Sequence, residues 1–538
     1  MEGSTKHICI LGSGISGLGK GIVSSSVGRL LKSYGLSITM QKLDPYFNIN
    51  SGTLAPIEHG ECYVTFDGKE CDLDLGHYER FIDEQLSKDC SLTSGLIYSN
   101  VLQNEKEGKY LGHTCQIIPH VTNEILDKMH EFDDKYDIVL HEVGGTVGDM
   151  ESLPYVESVR QLRYENKQNT IIILLTYLPY LKTSQEVKTK VAQQGVEKLR
   201  ALGLVPDILI CRTEEDIDDS IKNKLAMFCN VDKECVIKNM DVPSIYSVPE
   251  MLKQEGIVTA INNKLNLELD NKYSNFDEWN KTVTDTYTPD SITIGLVGKY
   301  TALHDAYLSV TESLKFAGWE NKVNVNIEWI DSEIIESDIT YLDKFKLNGI
   351  IIPGGFGDRG IEGMILAAKY AREKNIPFLG ICLGMQVASI EFARNVLHLS
   401  DANSEEFNQK SSNKVIHIME NQKNISDKSG TMRLGNYQCV IKESTMAYEA
   451  YNEKCIVERH RHRFEFNNDY RDLFEKNGMN IVGTSPNNEL VEIIELQNHP
   501  FFVACQYHPE FLSRPGKPEP LFKSFVFYSK NINKKTSI

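Results

Sequence analysis

HICILGSGISGLGKGIVSSSVGRLLKSYG, residues 7–35, reads as a buried strand, a glycine-rich loop and a helix in immediate succession. The apolar run ends at Gly12, and glycines follow at 14, 17, 19 and 21, with Lys20 among them. Glycines let backbone N–H groups turn inward around an anion, the helix N-terminus adds partial positive charge, and the lysine adds a full one. The loop is a phosphate cradle. Gly12-x-Gly14-x-x-Gly17 fits a dinucleotide fingerprint, whereas Gly14-x-x-x-x-Gly19-Lys20 fits a Walker-type loop. Lys20 favours the second. A dinucleotide loop also needs an acid about 20 positions on; Ser37 to Thr39 fill that region and Asp44 falls late. The Walker pattern departs at Gly21, where Ser or Thr would hold Mg²⁺, so a metal must find carboxylates elsewhere.

The same rhythm continues outward. LSITMQKL (36–43), DIVLHEVG (137–144), TIIILLTYL (170–178) and PDILICR (206–212) alternate with longer amphipathic segments, the pattern of a parallel sheet covered by helices. Residues 266–291 lose periodicity and are rich in Asn, Asp and Thr, which predicts a linker. The rhythm restarts with ITIGLVGKY (292–300), VNVNIEWID (323–331), NGIIIPGG (348–355) and IPFLGICLG (376–384). The expected organisation is therefore two doubly wound α/β domains, 1–265 and 292–530, with a solvated tail at 531–538. Asp401 to Gly430 is polar apart from VIHIM and predicts a loop-rich excursion.

The chain has 538 residues with 57 basic and 75 acidic side chains, a formal charge of −18. No general field draws phosphate backbones, so bulk nucleic-acid binding is not expected, and anionic ligands need local cationic pockets. The longest apolar stretch, Ile171 to Leu181, is too short to span a bilayer, and no signal-peptide layout opens the chain. A cytoplasmic location without membrane attachment is expected. The 12 cysteines are dispersed with no C-x-x-C pair, which fits reduced thiols better than a disulfide framework or a zinc cage.

Two sets of residues carry chemistry. In the first domain, Asp74 in CDLDLGHYER (71–80) and Glu142 beyond DIVLH are carboxylates placed as a Walker-B acid is placed. Glu142 is followed by the glycine-rich Val-Gly-Gly-Thr-Val-Gly-Asp149-Met-Glu151. In the second, Gly380-Ile-Cys382-Leu-Gly384 separates a strand from a helix as a nucleophile elbow does, and the helix N-terminus favours a thiolate. Gln506-Tyr-His508-Pro-Glu510 offers a base and an acid to orient it. The glycines of Pro353-Gly-Gly-Phe-Gly357 supply N–H groups for an oxyanion hole.

Taken together the chain resembles the CTP synthase family, glutamine-dependent enzymes that aminate UTP. SGLGKG (16–21), QKLDPYFN (41–48), DLDLGHYERFID (72–83), EVGGTVGDMESLP (142–154) and LAMFCNV (225–231) carry the likeness in the first domain. PGGFGDRG (353–360), GICLGMQ (380–386), VERHRHRFEFN (457–467) and VACQYHPEF (503–511) carry it in the second. GICLGMQ with HPE indicates only a class I glutamine amidotransferase; EVGGTVGDMES and DLDLGHYERF are specific to CTP synthases.

The resemblance implies an amidoligase domain followed by a glutaminase domain. Ser16, Gly17, Leu18, Gly19, Lys20, Gly21 and Ile22 would wrap the phosphates of ATP and UTP, with Lys42 neutralising charge and Met240, Asp241 and Val242 beside the adenine. Asp74 and Glu142 would hold Mg²⁺. Asp149, Met150, Glu151, Lys188, Thr189, Lys190, Val191, Ala192, Gln193 and Lys224 would contact UTP or the inhibitory product CTP. Glutamine would lie against Gly355, Leu383, Gly384, Met385, Gln386, Glu406 and Arg463, with Cys382, His508 and Glu510 catalytic. GTP as an activator, homotetramers, and filaments as a further assembly are also implied.

Many members read K-T-K-P-T-Q where this chain has Lys188-Thr-Lys-Val-Ala-Gln193, and G-G-V-V-S where it has Gly12-Ser-Gly-Ile-Ser16. Weaker or altered CTP inhibition is the expected effect. Two rivals stand beside this reading: another P-loop amidoligase with a glutaminase that acts on a carboxylate, and a non-catalytic scaffold or filament paralogue.

Overall fold

The computed structural model describes residues 5–270, 274–286, 288–419, 422 and 432–532, which fall into two compact units. The expected tail beyond Ile532 lies outside the described residues, as do parts of the 266–291 and 401–430 segments.

In the first unit the apolar runs form seven strands: β1 (Lys6–Ser13), β2 (Ile38–Asp44), β3 (Ser91–Thr93), β4 (Ile138–Val143), β5 (Thr170–Leu178), β6 (Ile208–Thr213) and β7 (Val236–Met240). They pair in the order β7-β6-β5-β1-β4-β2-β3, every ladder parallel. Unbroken apolar runs are needed because both faces are covered: Cys9 and Leu11 enter one core with Ile172 and Leu174, while Ile8 and Ile10, pointing the other way, are buried as well. Among the helices are α1 (Lys20–Ser33), α2 (Asp74–Ile82) and α3 (Lys190–Ala201). Strand order reverses beside β1, so the loop from β1 to α1 opens at the crevice where such sheets take ligands.

The second unit contains β8 (Ser291–Gly298), β9 (Asn324–Asp331), β10 (Gly349–Ile352), β11 (Phe378–Ile381), β12 (Arg433–Ile441), β13 (Cys455–His462), β14 (Met479–Thr484), β15 (Val491–Leu496) and β16 (Phe502–Cys505). The order is β9-β8-β10-β11-β16-β15-β14-β12-β13, parallel through β16 and antiparallel thereafter. Ile350 and Ile352 face one core with α5 (Ile361–Lys374) and α6 (Leu383–Asn395); Ile351 faces the other with α4 (Leu308–Glu320) and α7 (Pro520–Asn531).

Three features depart from the sequence reading. Gly52–Leu73, read with the first domain, packs in the second unit and carries an antiparallel ribbon, Tyr63–Val64 with Glu70–Cys71. The stretch read as linker contains a helix, Phe276–Thr284, with Phe276, Trp279 and Val283 buried; that i, i+3, i+7 spacing is the helical signal, hidden among polar residues. Lys414–Ile418, inside the polar excursion, pairs antiparallel with Phe464–Phe466. All 12 cysteines are free thiols.

Candidate active sites

In the first unit the loop after β1 turns through Gly14, Gly17 and Gly19, all at positive φ, and Gly19 caps α1. Lys20 donates from Nζ to the Gly145 carbonyl (2.8 Å), and the Val147 N–H donates to the Gly12 carbonyl (2.8 Å). The glycine-rich turn after β4 is thereby braced on the phosphate loop. Burial lowers the pKa of Lys20, with Glu142 opposing.

The carboxylates converge. Lys42 Nζ lies 2.5 Å from Asp74, 3.0 Å from Glu142 and 3.7 Å from Asp44, and the Tyr78 hydroxyl donates to the second oxygen of Glu142. Burial opposes the charge on Lys42, but Asp74, Glu142 and Asp44 hold its pKa well above the usual value. Burial likewise lifts Asp44 to about 6, against the pull of Lys42. Gly21 explains the departure from the Walker pattern: a Cβ there would sit 2.1 Å from Asp74 Oδ1 and 3.5 Å from Glu142 Oε2. The space a Ser or Thr side chain would use is filled by carboxylates brought in by α2 and β4. Two hard oxygen donors sharing one ammonium, with further oxygens turned toward the loop, form a donor set that fits Mg²⁺.

Arg212, not singled out by sequence, donates to the Gly17 carbonyl (3.0 Å) and pairs with Asp241 (3.1 Å), tying the 240–242 segment to the phosphate loop. Val191 meets the loop at the other side, its Cγ1 standing 2.8 Å from where a Gly14 Cβ would be; Ala192 is fully buried and Gln193 bonds Thr189. Lys188 pairs with Glu186, whose pKa both Lys188 and Lys224 lower, so these two lysines gather about one carboxylate. Asp149 accepts the Thr146 N–H (2.8 Å) and shapes the turn. Met150 and Glu151 line a separate apolar hollow of about 500 Å³ with Phe47, Tyr98, Ile117 and Ile118.

In the second unit β11 runs directly into α6 through Cys382, which adopts φ 53°, ψ −101°. Strain of this kind, of order 1–3 kcal/mol, persists only where the surroundings enforce it. Here Gly380 and Gly384 do so: a Cβ on Gly384 would meet the Ile352 carbonyl at 2.1 Å, and one on Gly380 would meet Gly384 at 2.8 Å. Cys382 Sγ accepts from Gln506 Nε2 (3.6 Å), and His508 Nδ1 bonds Glu510 Oε1 (2.7 Å). Burial disfavours protonated His508, yet Glu510 and Cys382 together push its pKa up to about 10. An imidazolium beside the sulfur at neutral pH is the form that sustains a thiolate. A Cβ on Gly354 would meet the His508 ring at 2.7 Å, so only glycine lets this loop approach.

The cavity holding Cys382, His508 and Gly355 is also lined by Glu61, Cys62, Tyr300 and Arg461. An adjoining hollow of about 670 Å³ shares Cys62, Tyr300 and Arg461 and adds Glu406 and Arg463. Glu406 accepts the Gly357 N–H (2.9 Å); burial raises its pKa, while Lys299 and Arg463 pull it down. Lys299 donates to the Phe356 and Gly357 carbonyls, and burial lowers its pKa to about 8. Gln386 is held by the Phe464 carbonyl (3.2 Å), and Leu383 and Met385 belong to the core beneath. Lys299 and Arg461 were missed by sequence reading. Arg461 lies within the quoted VERHRHRFEFN, and its pairing with Glu70 (2.8 Å) was concealed by a sequence separation of 391.

A family model described as CTP synthase N-terminus matches residues 6–267, and one described as glutamine amidotransferase class-I matches 302–527. The chain belongs to the CTP synthase family. A CTP synthase of Ruminiclostridium cellulolyticum is 52% identical over 97% of this chain and 98% of its own length. One of Methanocaldococcus jannaschii is 51% identical at the same coverages. Among solved structures, the glutaminase domain of Trypanosoma brucei CTPS with bound acivicin is 38% identical, covering 44% of this chain and 93% of that one at a TM-score of 0.42. Family membership accounts for both halves of the chain being present together, and the α/β units described above are its synthetase and glutaminase parts.

Proposed function

We propose that the chain converts UTP to CTP with nitrogen taken from glutamine and energy from ATP. The observation that carries the reading is the coexistence in one chain of the strained Cys382 elbow with its His508–Glu510 pair and the Lys20, Lys42, Asp74 and Glu142 phosphate site.

In the glutaminase reaction the Cys382 thiolate attacks the carboxamide carbon, and N–H groups of the 353–357 loop receive the oxyanion. His508 then gives its proton to the leaving nitrogen, releasing ammonia and a glutamyl thioester. Water, deprotonated by His508, attacks the thioester carbon, and the C–S bond breaks to free glutamate and restore the thiolate–imidazolium pair. Glu406 and Arg463 hold the amino acid end of glutamine, with Gly355 and Leu383 to Gln386 around the reacting amide.

In the synthetase reaction the γ-phosphoryl of ATP passes to O4 of UTP, ADP leaves, and ammonia displaces phosphate at C4. Lys20 and Lys42 neutralise the phosphates while the residue 16–22 backbone positions them. Asp74 and Glu142 would hold Mg²⁺, which would supply charge neutralisation of the phosphoryl oxygens when bound. Asp241 and its neighbours flank the adenine, and the 149–151 and 188–193 segments with Lys224 serve UTP and CTP. Activation by GTP, feedback by CTP, a homotetramer and a cytoplasmic location belong to the same reading. Among the described residues no helix is long and apolar enough to cross a membrane.

Turnover with UTP, ATP, Mg²⁺ and glutamine, followed as CTP by chromatography, tests the whole. Lys20→Ala abolishes CTP formation from glutamine or ammonia yet spares glutamine hydrolysis. Synthesis by that variant near the parent rate refutes the phosphate-loop assignment.

A further inference from the structure

A group of donors that none of this chemistry uses converges at the end of the first sheet remote from the phosphate loop. His7 opens β1, while His130 and Asp133 lie on the turn that leads toward β4. His130 Nδ1 is 2.7 Å from Asp133 Oδ2, His7 Nε2 is 3.4 Å from Asp133 Oδ1, and ligand atoms of all three lie within 4.8 Å of one another. Among the described residues no other trio of His, Cys, Asp or Glu converges in this way.

The neighbours orient the trio. His7 Nδ1 is 2.9 Å from His141 Nε2, and the two rings stack at 5.2 Å with His141 fully buried. Such a hydrogen bond fixes which ring nitrogen of a ligating histidine points at a metal. Glu165 Oε2 stands 3.9 Å from His130 Nε2.

Asp133 Oδ1 is buried and makes no hydrogen bond. His7 Nε2 faces it at 3.4 Å. That separation lets one small cation touch both atoms, since Zn²⁺ takes imidazole nitrogen and carboxylate oxygen at about 2.0–2.2 Å each.

We propose that His7, His130 and Asp133 bind one divalent transition-metal ion of the Zn²⁺ class, with water or Glu165 in the fourth position. Two imidazoles and one carboxylate suit tetrahedral Zn²⁺, whereas Mg²⁺ demands an octahedron of oxygens. The ion ties the start of β1 to the turn before β4. His130 and Asp133 side chains are 29% and 33% exposed, which leaves an entry path. Six residue steps along β1 lead from His7 to Ser13, so the site lies about 20 Å from the phosphate loop at the rise of a parallel strand.

The test uses the full chain, stripped with a chelator and titrated with Zn²⁺ against a chromophoric competitor in excess Mg²⁺. One Zn²⁺ per chain binds with micromolar or tighter affinity, and Co²⁺ in its place gives the intense visible absorption of a four-coordinate site. His130→Ala and the near-isosteric Asp133→Asn each weaken Zn²⁺ binding about 100-fold or more, the upper range for disturbing a ligand's support alone. Both variants remain folded by circular dichroism, and Cys382→Ser keeps parent uptake. The proposal is overturned if the parent takes up no Zn²⁺ in the micromolar range, or if uptake and the Co²⁺ spectrum persist unchanged in Asp133→Asn.

Discussion

Replacing Gly21 by alanine adds a single methyl group where the synthetase site has no room for one. Gly21 is the second residue of α1 and lies in ordinary helical backbone, so the backbone accepts alanine and gains about 1 kcal/mol of helix propensity. The methyl would stand 2.1 Å from Asp74 Oδ1 and 2.9 Å from its Cγ. To reach van der Waals distance the carboxylate must swing away by about 1 Å, at roughly 0.5–1.5 kcal/mol for leaving its rotamer. The two terms nearly cancel, so the thermal midpoint stays within a few degrees of the parent. Catalysis does not share that cancellation, because a 1 Å misplacement of a catalytic group costs about 100-fold. CTP formation with ammonia as nitrogen source, measured by chromatography at saturating ATP and UTP, should fall by about that factor while glutamine hydrolysis is retained. Raising Mg²⁺ should recover part of the loss. A Gly21→Ala enzyme that makes CTP from ammonia within threefold of the parent, at the same Mg²⁺ requirement, would refute the idea that Asp74 fills the place of the missing hydroxyl.

Cys382→Ala should eliminate glutamine-dependent synthesis and leave ammonia-dependent synthesis intact, rising with pH toward the ammonium pKa; a variant that still uses glutamine sinks the division of labour. Because the pKa of His508 is raised to about 10, its imidazolium persists through neutral pH and is lost only as pH climbs through that value. Glutaminase activity should therefore hold a plateau from pH 7 to 9, and Glu510→Gln should pull its alkaline edge toward neutrality; an unmoved edge counts against the pairing. Burial raises Glu465 to about 7, above its unfolded value, so its folded form prefers the proton and the cost of ionising it grows between about pH 4.5 and 7. Glu465→Gln should stabilise the protein by roughly 1–3 kcal/mol at pH 8 and little at pH 4.5, read from denaturant midpoints. Equal effects at both pH values exclude that account.

The parts legible in the sequence were those whose chemistry is local. A glycine loop between strand and helix, and a cysteine flanked by Gly380 and Gly384, announce their backbone geometry in a few consecutive residues. Tyr78 was legible in principle, since it follows Asp74 by one helical turn in α2 and so shares its face. Arg212, Lys299 and Arg461 were not, because each is defined by a partner reached through space: the Gly17 carbonyl, the 356–357 carbonyls and Glu70. The helix at 276–284 escaped because three buried side chains among polar neighbours carry a weak periodic signal. The turn of Gly52–Leu73 toward the second unit left no mark, since a two-residue ribbon is too short to show a period.

That excursion sets an order of events during synthesis of the chain. Glu61 accepts from the backbone and hydroxyl of Ser309, and the fully buried Arg459 donates to the Tyr63 hydroxyl and the Val64 carbonyl at 2.9 Å each. The ribbon leaves the ribosome long before either partner exists. At about 5–20 residues per second, Glu61 waits roughly 10–50 s for Ser309, 248 positions later, and Tyr63 waits longer for Arg459. A gene fragment beginning at residue 285 would never supply them. It would lose these bonds of Arg459 and Ser309, so restoring residues 52–73, by fusion or as an added peptide, should raise the thermal midpoint of such a fragment.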